Sequence, residues 1–165
     1  MNTLIHVGTT NGGRSTRVRT GKEIEMMNKG KTKIKVCFDI DDTITADPEF
    51  FSFLSRSVKN EGGRVYVVTS RTSTPEVREE TRKELAQYNI VYDDLYLLPD
   101  AQTAAKECPY AGFDWYQKYL YQKVTFCEFH KVDIYFDDDD KVIEIFRETA
   151  PQIQVFKVCK RKDEE

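Results

Sequence analysis

The chain has 165 residues, a formal net charge of −3, 39% hydrophobic residues and 12% aromatic residues. This length and composition predict one globular domain with a buried core, and they argue against an intrinsically disordered chain. No stretch is long and apolar enough to cross a membrane, and the first residues lack a hydrophobic signal core. We therefore expect a cytoplasmic protein with no membrane partner.

The few cysteines and histidines argue against some kinds of chemistry. The four cysteines lie singly and only two histidines accompany them, which does not fit the ligand spacing of a zinc centre. The scarcity of histidine also argues against a Ser-His-Asp or Cys-His mechanism. Cys37 lies inside an apolar run, where we expect a buried free thiol.

Charge is distributed unevenly along the chain. Residues 1–35 contain eight Lys or Arg against two Glu, a sum of +6, and residues 36–165 contain 17 against 26, a sum of −9. Hydrophobic patterning is weak before residue 32. The sequence therefore predicts a basic, flexible N-terminal extension over 1–31, a folded domain over 32–159 and a charged tail over 160–165.

From Lys33 onward, short apolar runs alternate with helical patterns. Strands are predicted at 33–38, 64–68, 95–98, 133–136 and 153–158, and helices at 48–60, 75–89, 113–130 and 139–149. This alternation predicts a three-layer, Rossmann-like α/β fold with a central, mostly parallel sheet of five strands. Thr74 and Pro75 suit the start of the second helix, and Gly62-Gly63 ends the first.

Three polar clusters follow predicted strands. Asp39 and Asp41 follow the first strand, residues 69–71 follow the second, and four aspartates at 137–140 follow the fourth. Parallel strands end at one edge of a sheet, so we expect these clusters to meet there. Two carboxylates about 4 Å apart repel by roughly 4 kcal/mol at an effective dielectric of 20. The acidic clusters therefore indicate a Mg²⁺ site or a proton-transfer site, with helix capping as the alternative for 137–140.

These segments resemble known motifs. The segments DIDDT, VVTSR and IYFDDDD, together with an intervening lysine, are similar to the four motifs of the haloacid dehalogenase (HAD) superfamily over about residues 33–158. The pattern FDDDDKVIEIFR looks like that of small magnesium-dependent phosphatases, including the phosphatase domain of polynucleotide kinase-phosphatases. The resemblance implies an enzyme, a phosphoric monoester hydrolase, with nucleotide or nucleic-acid phosphate ends as candidate substrates.

The resemblance also implies roles for individual residues. Asp39 would attack phosphorus and form an aspartyl-phosphate, and Asp41 would act as general acid and base. Mg²⁺ would be held by the Asp39 carboxylate, the Asp41 carbonyl and a carboxylate of Asp137 or Asp138, of which Asp138 is preferred and both are kept.

Four further positions complete the implied site. Thr69 would donate a hydrogen bond to the phosphoryl group, with Ser70 as its substitute if the strand ends later. Thr43 would hold the loop after the first motif, and Arg71 would bind a second anionic group of the substrate.

The sequence offers two candidates for the motif-three lysine. Lys118 is preferred because it lies 19 residues before Asp137 near a helix start, and Lys123 is the rival. Periodicity does not decide between them, because both sides of this predicted helix are apolar.

The spacing between motifs leaves no room for a large cap domain. The stretch Pro99–Gly112 is a long connection that could serve as a small lid. Tyr110, Phe113 and Trp115 could stack on a base or sugar, although core packing is the preferred interpretation. An open site favours a bulky phosphorylated substrate or cover by another subunit, and a homo-oligomer is left open.

Two other classes of protein remain as alternatives. A receiver-like phosphoacceptor domain also places acidic residues, a Thr and a Lys around a phosphorylated Asp, but its motifs come in another order. A catalytically idle, metal-binding partner protein would keep the carboxylates without turnover.

Overall fold

Five parallel strands form the central sheet of the computed structural model, which describes residues 33–159. They are β1 (Lys35–Phe38), β2 (Arg64–Thr69), β3 (Asp94–Leu97), β4 (Ile134–Asp137) and β5 (Gln154–Lys157), in the sheet order β3-β2-β1-β4-β5. The α/β fold with a five-stranded sheet and no large cap domain is confirmed, and the sheet is entirely parallel. The predicted extension over 1–31 and tail over 160–165 lie outside the described residues.

Five α-helices connect the strands of the described domain. They are α1 (Pro48–Asn60), α2 (Pro75–Gln87), α3 (Ala101–Glu107), α4 (Trp115–His130) and α5 (Asp140–Thr149), and a short 3-10 turn covers Ile44–Ala46. Four of them match the helices predicted from sequence within two residues at each end. The helix α3 was not predicted, because residues 99–112 were interpreted as a connection without secondary structure.

Helix starts follow the local sequence. The Thr74 side chain accepts a hydrogen bond from the Val77 amide, and Pro75 is the first residue of α2, as predicted. In α4, Asp114 and Gln117 form a reciprocal capping box. At the end of α1, Gly62 has a φ of +77°, a left-handed conformation that favours glycine. Capping and glycine therefore fix the ends of the elements that carry the site.

The sheet separates two cores because successive strand residues face opposite sides. In β1, Val36 and Phe38 pack with α1 and α2, through residues such as Phe51 and Leu85. Cys37 faces the other side, where it packs with residues of α4 and α5, and its thiol is buried as predicted. Both faces of β1 are thus covered by helices of the described domain.

The strand order places a reversal beside β1. The chain runs outward from β1 to β2 and β3 and then returns to β4 on the other side of β1. Ligands of open parallel sheets bind beyond the carboxyl ends of the strands at such a reversal. The crevice between the ends of β1 and β4 is therefore the expected binding position. Among the described residues, no helix is long and apolar enough to span a membrane.

A cluster of charged groups at the opposite end of the sheet ties β3 to β2. The Asp93 carboxylate, 16% exposed, accepts hydrogen bonds from Lys59 Nζ at 2.6 Å, Arg64 Nη1 at 2.6 Å and the Val65 amide at 2.9 Å. Burial opposes the charge of Asp93, but these donors outweigh it and hold the pKa of this carboxyl below its usual value. Asp93 therefore stabilises the fold as an anion.

Replacing Asp93 with Asn is expected to lower the free energy of unfolding by about 1 to 2 kcal/mol at pH 7, because three charge-assisted contacts weaken. A lowered folded-state pKa gives stability that is present above the unfolded pKa of about 4 and is lost as the pH falls through the folded pKa. The difference between wild type and Asp93→Asn should therefore shrink towards pH 3 in urea unfolding. The exposed Glu61→Gln serves as the control, and a constant difference across this range would contradict the assignment.

Candidate active site

Two buried carboxylates meet at the reversal of the strand order. Asp39 follows β1 and is 5% exposed, and Asp137 is the last residue of β4 and is fully buried. The Asp39 amide donates to the Phe136 carbonyl at 3.0 Å, which continues the ladder between the two strand ends. The backbone pairing of the sheet thus fixes the distance between these two acids.

A buried lysine bridges the two acids. Lys123 extends from α4, its side chain is 4% exposed, and its Nζ lies 2.9 Å from Asp39 Oδ1 and 2.8 Å from Asp137 Oδ2. Burial alone would lower the pKa of Lys123, but the two carboxylates reverse this effect and raise it. Lys123 is therefore an ammonium ion at neutral pH.

The structure places Lys123, and not Lys118, beside the two acids. Lys118 lies five residues before Lys123, which turns it by about 140° around the helix axis and places it on another face. Among the described residues, no hydrogen bond joins the Lys118 side chain to the acidic cluster. The sequence did not distinguish Lys118 from Lys123 because α4 is apolar on both sides. The five residues from Leu120 to Val124 are all buried.

Other groups hold Asp137 in place. Its Oδ1 accepts a hydrogen bond from the Asp139 amide at 2.9 Å, and its Oδ2 accepts from the Tyr135 hydroxyl as well as from Lys123. Tyr135 is fully buried. Its burial and, to a smaller extent, the negative charge of Asp137 raise the pKa of its hydroxyl well above the usual value. Asp137 therefore has protein donors on both oxygens.

Asp138 is held more loosely than Asp137. Its carboxylate is partly buried, and Oδ1 accepts a hydrogen bond from Thr43 Oγ1 at 3.3 Å. Thr43 is fully buried in the loop after β1, so this contact ties that loop to the end of β4. Asp139 accepts from the Lys141 amide and caps α5, so capping does explain one member of the acidic run.

The cluster has the composition of a site for a hard divalent cation. Oxygens of Asp39, Asp137 and Asp138 all lie within 4.8 Å of one another. With all three carboxylates ionised, the single Lys123 ammonium would leave two negative charges, which a Mg²⁺ ion would neutralise. Burial raises the pKa of Asp39 to about 7, although the attraction of Lys123 opposes this shift. Burial and, as the second cause, the negative charge of Asp137 raise the pKa of Asp138. The residues present therefore fit such an ion.

The Asp41 carboxylate lies outside this cluster of three acids. It is 61% exposed and pairs with Arg71, whose Nη2 lies 2.6 Å from Oδ1 and whose Nε lies 3.0 Å from Oδ2. Arg71 also donates to Glu84 and to Thr81 of α2. The Asp41 carboxylate therefore pairs with Arg71, whereas the carboxylates of Asp39, Asp137 and Asp138 form the acidic cluster.

Thr69 and Ser70 lie at the end of β2, next to β1. Thr69 is buried, and its Oγ1 accepts a hydrogen bond from the Arg71 amide at 3.4 Å. Ser70 is exposed, and its carbonyl accepts from the Tyr119 hydroxyl at 2.9 Å. Both residues occupy the same edge of the sheet as Asp39, as predicted from the strand order.

The aromatic residues near α4 divide into two groups. The rings of Tyr110 and Phe113 are stacked with their centroids 4.9 Å apart, and both residues pack against the buried Tyr121. The preferred interpretation as core residues is therefore confirmed for both. Trp115 is 69% exposed and contacts Tyr116, so core packing is wrong for it.

Sequence reasoning missed three participants in this site. They are Tyr135, whose hydroxyl contacts Asp137, Glu84, which contacts Arg71, and Tyr119, whose hydroxyl contacts the Ser70 carbonyl. The partners of Glu84 and Tyr119 lie 13 and 49 positions away, so the local sequence holds no signal for these two contacts. Tyr135 lies two positions before Asp137 in the same strand, and the alternation of side chains along a strand could have indicated that the two share a face.

No protein-family model and no curated protein matches this sequence. Solved structures do show a similar fold. One is a chain in the structure of the Pnkp1/Rnl/Hen1 RNA repair complex, with a TM-score of 0.53 and 21% sequence identity over 78% of this chain and 43% of that chain. A second structure of the Pnkp1/Rnl/Hen1 complex matches with a TM-score of 0.50 and 20% identity, over 78% of this chain and 47% of the other.

The two matches agree with the observed architecture. At this level of identity the similarity shows a shared fold, and it does not by itself transfer an activity. This chain spans less than half the length of the chains that it matches. The function must therefore be argued from the site.

Proposed function

We propose that this protein is a magnesium-dependent phosphomonoester hydrolase of the HAD type that forms an aspartyl-phosphate on Asp39. The observation that carries the proposal is the buried Lys123 ammonium between Asp39 and Asp137, with Asp138 beside them. In a purely structural ion pair, one carboxylate balances one ammonium. Here three carboxylates lie around one ammonium, and this excess of negative charge supports a second cation in the site.

Asp39 is the proposed nucleophile. One of its carboxylate oxygens attacks phosphorus, the bond from phosphorus to the leaving oxygen breaks, and the leaving oxygen takes a proton from Asp41 to become an alcohol. Water then attacks the aspartyl-phosphate, Asp41 takes a proton from that water, and the bond from phosphorus to the Asp39 oxygen breaks. The products are inorganic phosphate and the restored carboxylate.

Three other side chains support this chemistry. Lys123 fixes the orientation of Asp39 and balances charge that develops on the phosphoryl oxygens. Thr69 would donate a hydrogen bond to the phosphoryl group, with Ser70 as its neighbour on the same edge of the sheet. Lys118 has no part in this scheme.

Asp39 and Asp138 would hold Mg²⁺, together with the main-chain carbonyl of Asp41. Asp138 is preferred over Asp137 because Asp137 already accepts hydrogen bonds at both oxygens. When bound, the ion supplies charge neutralisation at a phosphoryl oxygen.

Asp41 must leave Arg71 before it can act as an acid. The bidentate guanidinium contact occupies both oxygens of the Asp41 carboxylate, and it must break before either oxygen can reach the leaving group. Glu84 already contacts Arg71, so it offers the guanidinium a partner when Asp41 turns towards the substrate.

Hydrolysis of a generic aryl phosphate, para-nitrophenyl phosphate, tests the proposal. We expect turnover with Mg²⁺ that disappears with a chelator and returns when Mg²⁺ is restored. Mg²⁺ should also raise the melting temperature of the wild type, because an ion that binds only the folded state stabilises it. Asp138→Asn should lose most of this shift, whereas the distant Asp94→Asn should keep it. A chelator-resistant activity would contradict the metal assignment.

One alternative is weakened by the fold. A receiver domain has the doubly wound strand order 2-1-3-4-5, whereas the order here is 3-2-1-4-5. An idle metal-binding protein would show the Mg²⁺-dependent melting shift without any turnover, so the same experiment separates it from an enzyme.

The site favours a substrate that is larger than a simple sugar phosphate. The described domain has no cap over the ends of β1 and β4, and α3 adds only seven residues to the connection after β3. The similar fold occurs in an RNA repair complex, which supports nucleotide or nucleic-acid phosphate ends as substrates. Better turnover of sugar phosphates than of phosphorylated oligonucleotides would contradict this part of the proposal.

A further inference from the structure

A cavity of about 500 Å³ opens beside the proposed active site. It lies beyond the carboxyl ends of β2 and β3, and its lining comes from three segments: Thr72 and Ser73, Leu98 to Ala101, and Tyr119 of α4. Its volume lies in the range of small-molecule binding sites, about 300 to 1,000 Å³. None of these lining residues has a role in the proposed mechanism.

The cavity adjoins the phosphoryl site along the chain and in space. Thr72 follows Thr69 by three residues, and the Leu98 amide donates to the Thr69 carbonyl at 3.0 Å. Tyr119 precedes Lys123 by one helical turn, and its hydroxyl donates to the Ser70 carbonyl. A phosphomonoester held at Asp39 would therefore extend its leaving group towards this cavity.

The lining selects for a particular chemistry. Leu98, Pro99 and Ala101 are apolar, Tyr119 offers an aromatic ring, and Thr72 and Ser73 offer hydroxyl groups. None of the described residues that line the cavity carries a positive charge. Such a surface suits a flat ring with a hydroxylated sugar and does not suit a second phosphate.

The one charged lining residue is already engaged. Asp100 accepts hydrogen bonds from the amides of Gln102 and Thr103 and from the Thr103 hydroxyl. These bonds lower the pKa of Asp100, which stays an anion. Its negative charge further disfavours a second phosphate in the cavity.

We propose that this cavity binds the nucleoside of a substrate that carries a single phosphate, and that Tyr119 is its specificity-determining residue. The assignment rests on the proposed phosphomonoesterase function for the position of the phosphate. The hydrogen bond to Ser70 fixes the Tyr119 ring before the substrate arrives, so little conformational freedom is lost on binding. The nucleoside can belong to a free mononucleotide or to the end of a nucleic acid.

The test compares substrates with and without a nucleoside. Adenosine 3′-monophosphate and adenosine 5′-monophosphate are both assayed with the wild type. The nucleotide that is turned over faster should have a lower KM than glycerol 2-phosphate. Tyr119→Leu should raise the KM for that nucleotide about tenfold, because a base loses its stacking partner, and should raise the KM for glycerol 2-phosphate several-fold less. Tyr119→Phe, which keeps the ring, should retain most of the affinity.

The control and a second substrate sharpen the result. Phe129→Leu removes an aromatic ring from the far, exposed end of the same helix and should leave both KM values unchanged. Adenosine 3′,5′-bisphosphate should bind several-fold more weakly than the monophosphate. An unchanged nucleotide KM in Tyr119→Leu, an equal loss on both substrates, or tighter binding of the bisphosphate would overturn the assignment.

A 3′-phosphorylated oligoadenylate distinguishes the two sources of the nucleoside. A larger effect of Tyr119→Leu on the oligonucleotide identifies a chain end, and an equal effect identifies the nucleoside alone. Calorimetric binding of adenosine monophosphate to Asp39→Asn, with and without Tyr119→Leu, separates this proposal from the catalytic one. Absent turnover in wild type would reject the hydrolase, whereas unchanged binding in the double variant would reject the nucleoside subsite.

Discussion

Asp39→Asn is expected to lower phosphomonoester hydrolysis by at least about 1,000-fold, because the amide cannot attack phosphorus and form the acyl phosphate. Fold stability should survive the change, since Lys123 keeps its second partner, Asp137. Acid quenching of the wild type during turnover should trap a phosphorylated protein, and peptide mapping should place the phosphate on Asp39. The Asp39→Asn protein should yield no such peptide.

Asp42→Asn is the matched control for this experiment. Asp42 lies in the same loop, is exposed and has a φ of 57°, a conformation that Asn also adopts readily. Its activity should stay within about threefold of wild type. If Asp39→Asn retained activity, or if the trapped phosphate mapped elsewhere, the proposed mechanism would be wrong.

The sheet and its outer elements could be predicted from sequence because their signals are local. Alternating apolar runs gave all five strands, and Thr74, Pro75 and Gly62 gave helix ends, since capping and left-handed φ depend on the residue itself. The same local logic should have given α3. Asp100 is an N-cap, and six of the seven residues from Ala101 to Glu107 are good helix formers, although Pro99 and Gly112, which bound the segment, are typical of a connection.

The site could be predicted only in part because its contacts are long-range. The strand order brings Asp39, Asp137 and Asp138 together, and the rule for parallel sheets anticipated this. Which way a side chain turns at a strand end is not local. Asp41 points to Arg71, 30 positions away, and this pairing depends on the loop after β2 and on Glu84 of α2.

Lys123 shows a second limit of sequence analysis. A buried lysine on a helix looks like a surface lysine unless its neighbours reveal the buried side. Here Tyr121, Gln122 and Val124 are all buried, so α4 has no polar face at this point. Neither periodicity nor spacing to Asp137 could therefore identify the lysine that contacts Asp39 and Asp137. Only the packing of α4 against the sheet shows which lysine reaches Asp39 and Asp137.

Lys123→Met is expected to reduce both stability and activity, and Lys118→Met neither. Methionine has a similar length without the charge, so Asp39 and Asp137 would face each other unpaired in a buried site. Removing one partner of a buried ion pair costs about 3 to 5 kcal/mol, and loss of charge balance at the phosphoryl group should reduce kcat about 100-fold or more. Urea unfolding and steady-state kinetics measure the two effects.

The double variant Lys123→Met with Asp137→Asn separates the ion-pair contribution from simple loss of packing. Removing one of the two unpaired carboxylates should recover part of the lost stability, because their mutual repulsion and the burial of an uncompensated charge both decrease. Activity should not return, since the ammonium beside Asp39 is still absent. An additive loss of stability in the double variant would contradict the electrostatic role of Lys123, and a loss of activity in Lys118→Met would return the motif-three assignment to the residue that sequence spacing favoured.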